Sequence, residues 1–145
     1  MLSIEIHDDH GGMPSRDARI LGDVLLVGGL NHIHAIALSG SPRLLRSTRI
    51  SGYFSEFNVP EELDAPPDAF DVIAVGCSDA IRFARTGDIV WRVSGLAVDG
   101  IVLHRVVNGR IRGDAEWDPP GGWEPFELDA DTGEVLVAPV SRMRY

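Results

Sequence analysis

Four of the five histidines fall in two close pairs, His7 with His10 and His32 with His34. Imidazole is a common zinc ligand, and two histidines two residues apart share one face of a strand, a workable ligand spacing. Asp8 or Asp9 could orient one of these rings or add an oxygen ligand. The stretch "HDDHGG" also reads as a polar turn, in which aspartate and glycine satisfy the backbone locally. Four ligands would require residues 7 and 10 to fold against 32 and 34. A turn is therefore expected there and no cofactor is expected; zinc held by His7, His10, His32 and His34 is the alternative.

Other chemistry has less to build on. No GxSxG elbow is present, and the serines of "LSGSP" (38–42) have no histidine nearby in sequence. Cys77 ends a valine-rich strand, the setting of a small buried hydrophobe rather than a nucleophile. Glu116 and Asp118 flank Trp117 in a manner similar to sugar-cleaving carboxylate pairs, but acidic residues at this density are usually solvated. There is no P-loop, GxGxxG or EF-hand pattern. No catalytic constellation emerges, so an enzyme is not the expected reading.

The most distinctive segment is "EWDPPGGWEPF" (116–126). Prolines fix φ and remove backbone donors, so such a loop is stiff and holds its tryptophans in place. Aromatic anchors on a stiff loop suit a protein interface. The interface candidates are thus Trp117, Asp118, Pro119, Pro120 and Trp123. In a structural alternative the two indoles pair across a hairpin and cover the sheet. Arg43, Arg46 and Arg49 form a small basic cluster, expected as a solvated strand face.

These residues must be positioned by strands. Short apolar runs recur between glycine and proline turns, and no long run has apolar residues at i, i+3, i+4 and i+7. Strands are expected near 24–28, 32–38, 71–76, 80–84, 88–93, 100–107, 110–117, 123–128 and 134–138. Asn108-Gly109 between apolar runs marks a hairpin, because both residues tolerate positive φ. "PEELD" (60–64) suits one helical turn, and 55–70 otherwise reads as a long surface connection. The fold class expected is all-β, in one domain spanning 1–145.

"DVLLVGG" and "DVIAVGC" begin 48 residues apart, at Asp23 and Asp71, and each is followed by a second and a third short strand. A third unit carries "GIVL" and the hairpin around the "DxxTG" turn at Asp129 to Gly133; "RTGDIVWR" (85–92), ending near Trp91, is a further turn of this kind. With the valine-rich strands Val24 to Gly28 and Val72 to Gly76, these units resemble blades of a β-propeller of the quinoprotein-like or WD40-like type. The resemblance implies three blade-like antiparallel meanders. A closed propeller needs about 4 to 8 blades, so three cannot close a ring alone. Either two or more chains assemble, or the meanders pack as a compact partial propeller or a sandwich- or barrel-like sheet. No cofactor-binding residue carries over from the family.

The chain has 145 residues, 44% of them apolar, a length at which roughly two thirds of the unfolded surface can be buried. Its single cysteine precludes an internal disulfide and fits a reducing cytoplasm. No basic start leads into an apolar run, and no stretch approaches the ~18 apolar residues of a membrane span, so neither export nor a membrane is expected. Arginine supplies all 13 cations, lysine and glutamine are absent, and the net charge is −9, a bias of GC-rich bacterial genomes. The negative field disfavours nucleic acid and favours a basic protein partner. The expected function is a cytoplasmic, non-enzymatic protein-interaction module, in one version an immunity-type inhibitor of a basic toxin, with homo-oligomerisation as a further partner expectation.

Overall fold

The computed structural model describes residues 3, 5, 15–119 and 121–144. Twelve strands run in chain order: β1 (Arg16–Leu21), β2 (Val24–Gly29), β3 (His32–Ala37), β4 (Arg43–Arg49), β5 (Phe54–Asn58), β6 (Val72–Gly76), β7 (Ala80–Phe83), β8 (Ile89–Val93), β9 (Ile101–Val107), β10 (Arg110–Glu116), β11 (Trp123–Asp129) and β12 (Val135–Val137). They form three four-stranded antiparallel meanders, β1 to β4, β5 to β8 and β9 to β12, with each strand paired to its neighbours in sequence. There is no closed barrel and no α-helix among the described residues.

Turn chemistry sets this connectivity. β1 and β2 are joined at Gly22-Asp23, with Gly22 at φ 60°, and Leu21 pairs with Val24 across the turn. Asn108 and Gly109 take φ 51° and 73°, so both central residues of the β9–β10 hairpin are left-handed, as a twist-matched two-residue turn requires. Asp129 closes the β11–β12 turn by accepting the backbone N–H groups of Asp131 and Thr132, each at 2.9 Å. These donors hold its carboxyl below the usual carboxylate range, the Thr132 amide foremost.

The middle sheet is covered on both faces. β6 is buried at every position, and its side chains alternate between two cores, as the period of two demands. Val72 and Ala74 face the first sheet, where Leu26, Ile33, Phe54, Phe57 and Phe83 pack together. Ile73 and Val75 face the third sheet, against Ile111, Phe126, Leu128 and Trp117. A central strand buried on both sides is necessarily a continuous apolar run, which is how "VIAVG" reads. Gly28 lets the first two sheets approach: a Cβ there would lie 2.3 Å from the Phe54 ring. Between the first and second sheets the closest backbone approach is β5 against β1 and β2; between the second and third, β9 lies against β6. Contact is therefore closest toward the first strands of the meanders.

Two expectations need correction. Residues 55–70 are not a surface connection: Phe54–Asn58 is a strand, and Phe57, Leu63 and Phe70 are all at most 3% exposed. The single turn inside this span is a 3-10 turn at Pro60–Leu63 whose Pro60 and Leu63 are buried, so it plugs the stack rather than coating it. The repeat also begins one strand earlier than its sequence signal. The matching valine runs are the second strands β2 and β6, and each sheet opens with a less apolar strand, β1 or β5, absent from the expected set. The edge strand β1 faces water over much of its length, and its mixed sequence hides it, whereas β4 is the solvated basic strand expected around Arg43, Arg46 and Arg49.

Candidate functional site

The first and third sheets each turn one face to the core, leaving an outer face at either end of the stack. On the outer face of the first sheet, residues pair across all four strands: Ile20 with Leu25, Leu25 with Ile36, and Ile36 with Leu44. This apolar row is open at its ends, with Ile20 68% and Leu44 61% exposed, and Leu25 and Ile36 half-buried. The next row is Ala18, Val27, His34 and Ser47, and the third is Arg16, Gly29, His32 and Arg49. Polarity thus rises across the face, from an apolar row to one bearing two guanidinium groups. No carboxylate stands in these three rows.

The histidines of β3 have structural partners on this face. The rings of His32 and His34 stack with centroids 5.8 Å apart and planes 4° from parallel. His32 Nδ1 pairs with Asn31 Oδ1 at 2.7 Å, and His34 Nδ1 with Ser47 Oγ at 2.8 Å. Partial burial, then the neighbouring His32, lowers the His34 pKa, because a charged ring would be both desolvated and repelled. Two stacked rings share a face but do not make a ligand set, and the described residues contain no group of three or more histidine, cysteine or acidic side chains placed to hold a metal. His7 and His10, with the turn expected around them, lie outside the described residues.

Beside the cationic row is a cleft of about 520 Å3 lined by Asn31, Arg49, Ile50, Ser51, Gly52 and Arg92. Its polar character is largely satisfied from within. Asp79, 1% exposed, accepts the Ser51 backbone N–H at 2.8 Å and the Arg92 guanidinium at 2.6 Å through Oδ2. A carboxylate paired in this way ties the β6–β7 turn to β8 and to the chain entering β5, all within the second sheet, while its buried Oδ1 has no hydrogen-bond partner among the described residues. Of the basic cluster, Arg46 reaches Asp88 at 3.4 Å across the first and second sheets, whereas Arg49 sits at the rim of the cleft.

The tryptophan segment divides. Trp117 is 6% exposed and donates its indole N–H to the Leu96 carbonyl at 3.1 Å, so it belongs to the core between the second and third sheets. Trp123 is 52% exposed and sits opposite Glu116 in the outer register of the third sheet, against Gly100. The indoles do not pair across the hairpin, because one is turned into the core and the other away from it. Asp118 and Pro119 are exposed, the bond between them is cis, and Pro120 lies outside the described residues. Elsewhere on this outer face, Glu127 bonds Arg110 at 3.2 Å and Arg112 at 2.9 Å, and His104 bonds Asp114 at 2.8 Å.

Cys77 donates to the Val98 carbonyl, and burial, followed by the charge of Asp99, raises its pKa, the reverse of an activated thiol. No protein-family model matches the chain, and comparison with curated proteins and with solved structures gives no match. The apolar row of the first sheet escaped sequence reasoning because Ile20 lies on the unrecognised edge strand β1 and Leu44 on a strand marked in sequence by its arginines. The alternation of "HIHAIAL" held a partial signal, with His32, His34 and Ile36 on one face.

Proposed function

We propose that this chain is a non-enzymatic protein-interaction module built of propeller-type blades, and that it docks its partner on the outer face of the first sheet. The observation that carries this reading is the continuous row Ile20, Leu25, Ile36 and Leu44, open to water at both ends. An exposed apolar patch bordered by polar groups is the usual mark of an interaction surface in a soluble protein. Arg16 and Arg49 on the same face, in a chain of net charge −9, add local specificity. The overall field favours a basic partner at long range, while this face favours a partner surface that brings carboxylates to the two arginines.

A photo-crosslinking residue placed at position 20 tests the proposal, with position 90 as control. Val90 is also exposed, at 47%, but lies on the middle sheet. A discrete cross-linked product in cells is expected from position 20 and none from position 90. Absence of a product at 20, or equal products at both positions, would end this reading.

A further inference from the structure

We infer that the partner on this face is a second copy of the chain, and that two chains close a six-sheet ring in which the first sheet of each packs on the third sheet of the other. The inference rests on the docking surface proposed above. Within one chain, each meander already packs face to face on the next, with contact closest toward the first strands. Continuing this stacking past the third sheet requires a fourth sheet, and the chain has none among its described residues. A second copy supplies three, and six lies within the range of about 4 to 8 blades at which such rings close. A two-fold axis relates the chains, so the same contact forms twice and neither copy is left with an open end face.

Charge decides which faces meet. The first-sheet face carries Arg16 and Arg49 with no carboxylate, so pairing it with itself would bring like charges together. The third-sheet face carries four carboxylates, Asp114, Glu116, Glu127 and Asp129, against the three guanidinium groups of Arg105, Arg110 and Arg112. It therefore has negative charge to spare. It also has apolar groups for the row of the first sheet to meet: Val102, Trp123 and Val137 are 39%, 52% and 45% exposed. Trp123 thus acquires a role as part of the acceptor face for Ile20 and its neighbours.

Sedimentation equilibrium of the full chain should give twice the 15.8 kDa of one chain. Ile20→Glu and Val102→Glu, on opposite ends of the stack, should each give a monomer with an unchanged far-UV circular dichroism spectrum and a cooperative thermal transition that no longer depends on protein concentration. Photo-crosslinks from position 20 should map by mass spectrometry to β9 and β10 of the second copy. A dimer that survives Val102→Glu, or crosslinks that map to β1 to β4, would overturn the ring in favour of a first-sheet-to-first-sheet pair. A wild-type monomer would also overturn it; if position 20 then captured a different protein, the docking surface would stand and only the identity of its occupant would fall.

Discussion

The two outer faces of the stack are built on the same four-stranded plan and end in opposite chemistry. On the third sheet, cross-strand neighbours are ion pairs: Arg110 and Arg112 converge on Glu127, and His104 meets Asp114. On the first sheet, the corresponding cross-strand row is Ile20, Leu25, Ile36 and Leu44. Cross-strand pairs stabilise a sheet whether they are ionic or apolar, but only ionic pairs leave a face content in water. The inner faces show no such contrast, since both are packed with aliphatic and aromatic side chains. The difference therefore lies in the side chains turned outward and not in the fold: the first sheet exposes a continuous apolar row, whereas the third sets Val102, Trp123 and Val137 among ion pairs.

The largest effect should come from the wall that supports the first sheet. Phe54 is fully buried, tilted against Phe57 at 4.8 Å between ring centroids, and seated over Gly28. Phe54→Ala should lower stability by about 3–5 kcal/mol, the range for a large aromatic core truncation, measured by urea unfolding. A loss under about 1 kcal/mol, well below that range, would show that the first sheet is not held by this core. A smaller effect is expected on the opposite face. Glu127→Ala removes the shared acceptor of Arg110 and Arg112 and should cost about 1 kcal/mol, since exposed ion pairs contribute about 0.2–1 kcal/mol each. That cost should shrink in high salt, whereas the effect of Phe54→Ala should not.

The smallest effect is a pH dependence carried by the first face. The folded pKa of His34 is lowered from its ordinary value of 6.5. A base depressed in the folded state favours folding fully above its unfolded pKa, and that contribution is lost as pH falls from about 6.5 through the folded value. Replacing His34 with Gln should therefore flatten the fall in unfolding midpoint on the acid side of neutrality. An identical pH profile in wild type and variant would place that titration elsewhere.

The resemblance to propeller blades carried the architecture correctly as far as three antiparallel meanders, and the hairpin at Asn108-Gly109 was legible because its chemistry is entirely local. The opening strands β1 and β5 were not legible. "RDARIL" becomes a strand only because β2 offers it hydrogen-bonding partners, and β5 was hidden beside a proline- and acid-rich segment whose buried residues show no periodic pattern. Among the site candidates, Trp117 and Trp123 look equivalent in sequence, each beside a glutamate and near the same turn. Their opposite fates follow from strand parity: Trp117 continues the inward side of β10 after Ala115, while Trp123 stands opposite outward Glu116.

The sequence by itself determined the all-β class, the turns and most of the inner strands, because apolar runs and positive-φ residues act over a few residues. Tertiary structure decided which of the apolar side chains would be covered. Leu25 and Leu26 are adjacent and chemically identical, yet Leu26 is fully buried and Leu25 belongs to the open row. A strand sends neighbouring side chains to opposite faces, and burial depends on whether another sheet is stacked there. On the outer face of the first sheet no sheet is stacked among the described residues, so Leu25 stays in the open row.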